Sequence, residues 1–246
     1  MSTTALVILF LALPLAAGAW VRFKTTDPVQ VKLLLAFSGA FLLGVTVLHM
    51  LPELYAREHG DVGLWVLAGF MLQVVLEFFS RGIEHGHVHV HLPAGTAEAE
   101  PRALGSPTLP VITLISLFVH SFSEGMPFAD PRVGGDIAFV SGVLLHKLPM
   151  AIALATVLQR SGVGPGRSWA TLAVFAMAAP LGILFGHAFG ESLGEAFLSG
   201  ALAVAIGMLL HISTTIIFES TPDHHFNARR FITVILGVLL AIVTSH

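Results

Sequence analysis

The chain has 246 residues, of which 55% are hydrophobic and 11% charged, with a formal net charge of −3 at pH 7. Its mean hydropathy of +0.85 lies far outside the range of soluble globular domains and indicates a polytopic membrane protein. The absence of cysteine excludes disulfides, thiolate metal sites and thiol nucleophiles, and with neither a basic patch nor a long charge run, nucleic acid is not an expected partner.

Apolar runs of roughly the 20 residues needed to cross a hydrocarbon core fall at 5–21, 33–55, 62–80, 109–129, 136–158, 169–190, 196–218 and 228–245. They predict an all-α integral membrane protein, an eight-transmembrane-helix bundle in a single domain. The first run could be read as a signal peptide with Ala16, Ala17 and Gly18 as its cleavage region. Residues 1–4 carry no positive charge, which favours a retained helix. The last run is the weakest, since its uninterrupted apolar stretch is short and opens on Arg229 and Arg230.

Basic residues orient these spans. With alternating helices and a cytoplasmic first loop, the inside holds Arg22, Lys24, Lys32, Arg81, Arg102, Arg160, Arg167, Arg229 and Arg230, while the outside holds Arg57 and Arg132. Nine against two is a positive-inside bias. It predicts a multi-pass protein with both termini outside; the bias gives orientation and not organelle, and the cell, or inner, membrane is a separate expectation.

In chain order, span two ends in HMLPE, His49 to Glu53. After span three comes the one long loop, residues 81–107, which holds HGHVHVH. His85, His87, His89 and His91 alternate there, and imidazoles this close can capture a labile transition metal; the alternative is a solvated linker. Span four carries HSFSEG, His120 to Gly125, and span five carries HKLPM, His146 to Met150.

Ionisable groups inside lipid are costly and face the bundle interior, a partner or a pathway. His120 and Glu124 are four residues apart, so a helix points both the same way, and His146 and Met150 repeat the spacing. Each pair lies near the middle of its run, so antiparallel spans would bring both to one depth and build a metal pocket between facing helices. Two neutral imidazoles and a carboxylate suit zinc, and also iron, manganese or cadmium; Met150 adds a weak thioether. Pro127 and Pro149 each free a backbone carbonyl where irregular backbone can line a cavity. The plainer alternative is a buried polar cluster in which His120, Glu124, His146 and Lys147 satisfy one another.

These residues carry a resemblance. The eight-span pattern, the His-rich cytoplasmic stretch between spans three and four, HMLPE, HSFSEG and HKLPM resemble the ZIP (Zrt-, Irt-like) family of divalent metal transporters, in the branch with His-Lys-x-Pro in span five. The likeness covers nearly the whole chain. It implies a metal site between spans four and five and movement of zinc, or a similar divalent metal, toward the cytoplasm. The family's span-four motif usually reads His-Asn-x-x-Asp/Glu-Gly, and Ser121 stands here in place of Asn. Its span-five motif often reads His-Glu/Asn-x-Pro-Glu/His, and Lys147 and Met150 occupy the second and fifth places. Ala179 replaces a carboxylate before Pro180. The lost groups are those that would hold a second metal, so the expectation is a mononuclear site of His120, Glu124 and His146 with Met150 as an optional fourth ligand. Lys147 then either supplies the missing positive charge and moves protons during transport, or makes a static ion pair with Glu124.

Other polar groups mark a route. Glu53, Asp61, Asp130, Asp136, Glu191 and Glu195 lie at the outer ends, where negative charge concentrates cations. His49, His187 and His211 are relay ligands or packing histidines. Glu219, Asp223, His224 and His225 form a cytoplasmic cluster suited to release. Gly182, Gly186 and Gly190 leave one stripe of span six nearly bare, a face for close helix approach. The expected partners are a divalent metal ion, the lipid bilayer and a second copy of the chain in a homodimer. The first alternative function is a membrane-embedded zinc hydrolase, against which stand the absence of HExxH and of a separate general base once Glu124 is a ligand. The other is a bis-histidine haem protein, for which Glu124 and Lys147 are odd neighbours.

Overall fold

The computed structural model describes residues 1–23, 27–57, 61–80, 82, 111–219 and 227–245, and among them the regular structure is helical throughout. In chain order the helices are α1 (Thr3–Phe23), α2 (Pro28–Val45), α3 (Leu51–Arg57), α4 (Val62–Ser80), α5 (Val111–Gly125), α6 (Pro131–Gly135), α7 (Ile137–Arg160), α8 (Pro165–Leu193), α9 (Glu195–Glu219) and α10 (Ala228–Thr244). A π-helical turn, Thr46–Met50, joins α2 to α3, and a 3-10 turn, Met126–Ala129, follows α5.

Among the described residues, seven helical stretches are long and apolar enough to cross a membrane: Thr3–Phe23, Val29–Ala56, Val62–Ser80, Val111–Ala129, Ile137–Arg160, Pro165–Gly190 and Glu195–Phe218. The remaining long helix, α10, has 17 residues, about 26 Å at the α-helical rise, a little less than the hydrocarbon thickness. The sequence patterns are those of a bundle in lipid, with polar side chains turned in and apolar ones out. On α4 the buried face is Gly69, Gln73, Leu76 and Ser80, while Leu64, Trp65, Leu67, Met71, Val75 and Phe78 lie exposed. An apolar exterior of this extent is costly in water and favourable against acyl chains.

Local chemistry sets the helix ends. Asp27 accepts from the N–H of Val29 at 2.9 Å ahead of Pro28, Asp130 caps α6, and Asp136 caps α7 through the N–H of Phe139 at 3.0 Å. Each carboxylate takes a donor that the first turn leaves free. Gly194, at φ +83°, ends α8 and lets the chain reverse into α9.

Packing is closest where glycine removes the side chain. A Cβ at Gly207 of α9 would stand 1.9 Å from the carbonyl oxygen of Val66, and one at Gly69 of α4 would stand 2.0 Å from that of Val204, so these helices meet backbone to backbone. A Cβ at Gly182 of α8 would stand 2.1 Å from the Phe122 carbonyl oxygen and one at Gly186 2.7 Å from that of Met126, while Gly190 rests against Leu198. The last half of α5, which carries HSFSEG, is thus held against α8. α5 lies mainly against α8 and α4, and α7 mainly against α1 and α2. Two apolar clusters flank the middle of the bundle. One holds Phe10, Phe41, Met50, Phe128, Phe139 and Ile206; the other holds Ala17, Leu117, Met150, Leu154 and Phe175.

Candidate metal centre

The polar side chains of α5 form one buried stripe, Thr113, Ser116, His120, Ser121, Ser123 and Glu124. Three of them climb α4 in antiparallel order: Thr113 donates to the carbonyl of Phe79 and Ser116 to that of Leu76, and His120 Nδ1 lies 3.0 Å from Gln73 Oε1. The amide oxygen of Gln73 only accepts, so Nδ1 carries a hydrogen and Nε2 faces the bundle centre.

There Nε2 of His120 stands 3.1 Å from Glu124 Oε1, and Nε2 of His146 stands 3.9 Å from the same oxygen. The rings of His120 and His146 are 5.9 Å apart and nearly perpendicular. One ligand atom from each of the three residues falls within 4.8 Å of the others, and all three side chains are 0% exposed. Beyond this mutual approach, His120 Nε2 and Glu124 Oε1 make no well-aligned hydrogen bond. A cation shared between these two atoms, a proton on the imidazole or a metal ion, satisfies both at once.

The other oxygen of Glu124 is engaged. Lys147 Nζ donates to Glu124 Oε2 and to Ser121 Oγ, both at 2.7 Å, and lies 5.8 Å from the centroid of the Phe175 ring. Glu124 is thereby divided, with Oε2 facing an ammonium and Oε1 facing two imidazoles. Because α5 and α7 pack mainly on other helices, these side chains bridge the seam between them. Met150 is buried one turn beyond His146, within the apolar cluster that includes Leu117 and Phe175.

Of the route residues, His49 Nε2 meets Asp136 Oδ2 at 2.6 Å and stands 3.9 Å from Glu53 Oε2. His211 pairs with Glu77 of α4 and packs edge-on against Phe70 at 4.8 Å. His187 meets Thr3 at 2.8 Å on the exposed surface. Glu219 ends α9, and its side chain lies outside the described residues, as do His85, His87, His89, His91, Asp223, His224 and His225.

Gln73 and Glu77 were not among the expected site residues. Both interrupt the apolar run of span three, one turn apart, and Glu77 carried the signal of an ionisable group at membrane depth. Gln73 is uncharged, and its importance depends on the ring it faces.

Comparison with known proteins places the chain in a family. Residues 84–245 match the model of the ZIP zinc transporter family. Zinc transporter ZIP13 of Bos taurus is 27% identical over 190 residues, covering 62% of this chain and 44% of that protein. Zinc transporter ZIP1 of Plasmodium falciparum is 30% identical over 146 residues, covering 56% and 40%. Zinc transporter YKE4 of Saccharomyces cerevisiae is 26% identical over 254 residues, covering 89% and 72%. The chain spans less than half the length of the first two of these curated relatives. The match of the family model across most of the chain, over the helices that carry HSFSEG and HKLPM, assigns it: this chain belongs to the ZIP zinc transporter family.

Proposed function

We propose that this chain carries zinc, or a similar divalent transition metal such as iron, manganese or cadmium, across a membrane toward the cytoplasm. The ion passes through a mononuclear site of His120, Glu124 and His146. The observation that carries this reading is the set of three fully buried ligand atoms within 4.8 Å of one another, midway along membrane-length helices. Burial this deep has no use in a surface metal trap and suits a site reached from alternate sides.

The charge count favours one ion. Lys147 neutralises Glu124 before any metal arrives, so a bound divalent cation already leaves the pocket positive, and a second would face both that ion and the ammonium in a low-dielectric interior. The same repulsion weakens the first ion's hold, which favours release. Met150 supplies at most a weak fourth contact, and water can complete the shell.

The outer and inner ends follow from the basic residues. Arg22, Gln159, Pro165 and Ser168 line one pocket, which joins the Arg22, Arg160 and Arg167 ends of the helices as the cytoplasmic face. The opposite end gathers Met1, Gly134, Thr3 and His187. With α10 as an eighth crossing, both termini lie outside.

The test is zinc uptake into proteoliposomes loaded with a fluorescent chelator. Wild type takes up zinc, and His120→Ala reduces uptake to the level of protein-free vesicles. Wild type that binds zinc yet moves none under any gradient would overturn the transport reading.

A further inference from the structure

We infer that His49, Glu53 and Asp136 form a second divalent-cation site at the outer end of the bundle, separate from the buried one. Its place on a transport route rests on the reading above; its capacity to bind does not. One ligand atom from each residue lies within 4.8 Å of the others. His49 Nε2 is 2.6 Å from Asp136 Oδ2 and 3.9 Å from Glu53 Oε2. Ligand bonds of about 2.1 Å in a tetrahedral shell put ligand atoms roughly 3.4 Å apart, so a cation seats itself by opening the His49 to Asp136 hydrogen bond and drawing Glu53 inward. Neither movement exceeds a side-chain adjustment.

Two of the residues lie one turn apart on the continuous helical stretch Val29–Ala56, and the third comes from the start of α7. His49 belongs to the π-helical turn, a feature that inserts an extra residue into a helix and recurs at functional sites. Glu53 follows one turn on, in the first turn of α3. Asp136 precedes α7, and its Oδ1 is tied to the N–H of Phe139 at 3.0 Å, which orients the carboxylate and turns Oδ2 toward His49. The nearby cation Arg132 is engaged by Asp130 at 3.0 Å.

Charge and exposure differ from the buried site. His49 and Glu53 are each 34% exposed and Asp136 12%, so water-borne ions reach them. One neutral imidazole and two carboxylates offer two negative charges to a divalent ion, whereas Lys147 cancels the only carboxylate of the inner site. The imidazole favours a transition metal over calcium or magnesium. Asp136 opens the same helix that carries His146 ten residues later, about 15 Å along the axis. Between the two levels lie Phe139 and Val143 with Met50 and Phe128 of the outer apolar cluster. An ion held at the outer site therefore waits above a dry layer.

Equilibrium dialysis of zinc against the purified full chain tests this, comparing wild type with His49→Ala, Asp136→Asn, His120→Ala and the His49→Ala, His120→Ala double variant. Asn at 136 retains an oxygen for the α7 cap, so it separates lost charge from lost fold. The expected result is one equivalent fewer in His49→Ala and in Asp136→Asn, one fewer in His120→Ala, and two fewer in the double variant. Cobalt titration then shows the visible bands of imidazole and carboxylate coordination from the outer site surviving in His120→Ala and absent from the double variant. Unchanged zinc equivalents and affinity in both His49→Ala and Asp136→Asn would overturn the outer site. Loss of an equivalent in His49→Ala with none lost in His120→Ala would uphold it and sink the buried-site reading instead.

Discussion

At the scale of single residues, the division of Glu124 between Lys147 and the two histidines governs what the site can do. Replacing Lys147 by Met leaves a buried carboxylate without its ammonium, which costs the metal-free protein about 3–5 kcal/mol. It also removes the repulsion felt by a bound ion. We expect Lys147→Met to have a lower Tm without zinc, at least about tenfold tighter zinc binding, and slower uptake. Thermal melts with and without zinc, together with chelator competition, check all three. Gln73 acts through His120, whose Nδ1 it meets at 3.0 Å. Gln73→Leu frees the ring to turn and to exchange tautomers, and affinity should fall about 10–100-fold while Tm changes little. A variant that binds zinc as wild type does would reduce Gln73 to packing.

At the scale of elements, the polar stripe of α5 on α4 and the glycine contacts with α8 fix how His120 and Glu124 are presented. The inward turn of His120 and Glu124 was legible because HSFSEG interrupts an apolar run and the i, i+4 rule fixes their common face. Gln73 was not legible, since a glutamine in an apolar helix becomes part of a site only when α4 lies antiparallel to α5 at a particular register. The packing of α4 on α9 tests how much depends on close approach. Gly207→Ala forces a methyl to within 1.9 Å of the Val66 carbonyl, and we expect a loss of about 1–3 kcal/mol. At Gly200, where nothing lies within 4 Å of a Cβ, alanine should stabilise by about 0.5–1 kcal/mol through helix propensity. Melting of both variants in detergent gives opposite signs if backbone contact is what matters. Equal shifts would mean that the interface yields.

At the scale of the whole molecule, the distribution of basic residues predicts an orientation for the bundle, and apolar clusters pack on either side of the polar layer. Nine basic residues against two predict that residues 2 and 245 face outward and residue 161 inward. The chain has no cysteine, so Ser2→Cys, Ser245→Cys and Ser161→Cys can each be labelled without background. An impermeant maleimide on intact cells should reach the first two and react with the third only after lysis. Labelling of Ser161→Cys from outside would reverse the orientation, and labelling of Ser2→Cys without Ser245→Cys would remove α10 as a crossing.

The membrane class, the helical architecture and the family were determined by the sequence alone, because hydropathy, loop charge and the spacing of His, Glu and Pro are properties of local chain order. The π-helical turn, the ladder of α5 on α4 and the pairings of His49 with Asp136 and of His211 with Glu77 were decided by the tertiary structure. Those residues stand 87 and 134 positions apart in the chain. Only the packing of separate helices sets the distance across such intervals, and with it the division of Glu124 between a lysine and two histidines.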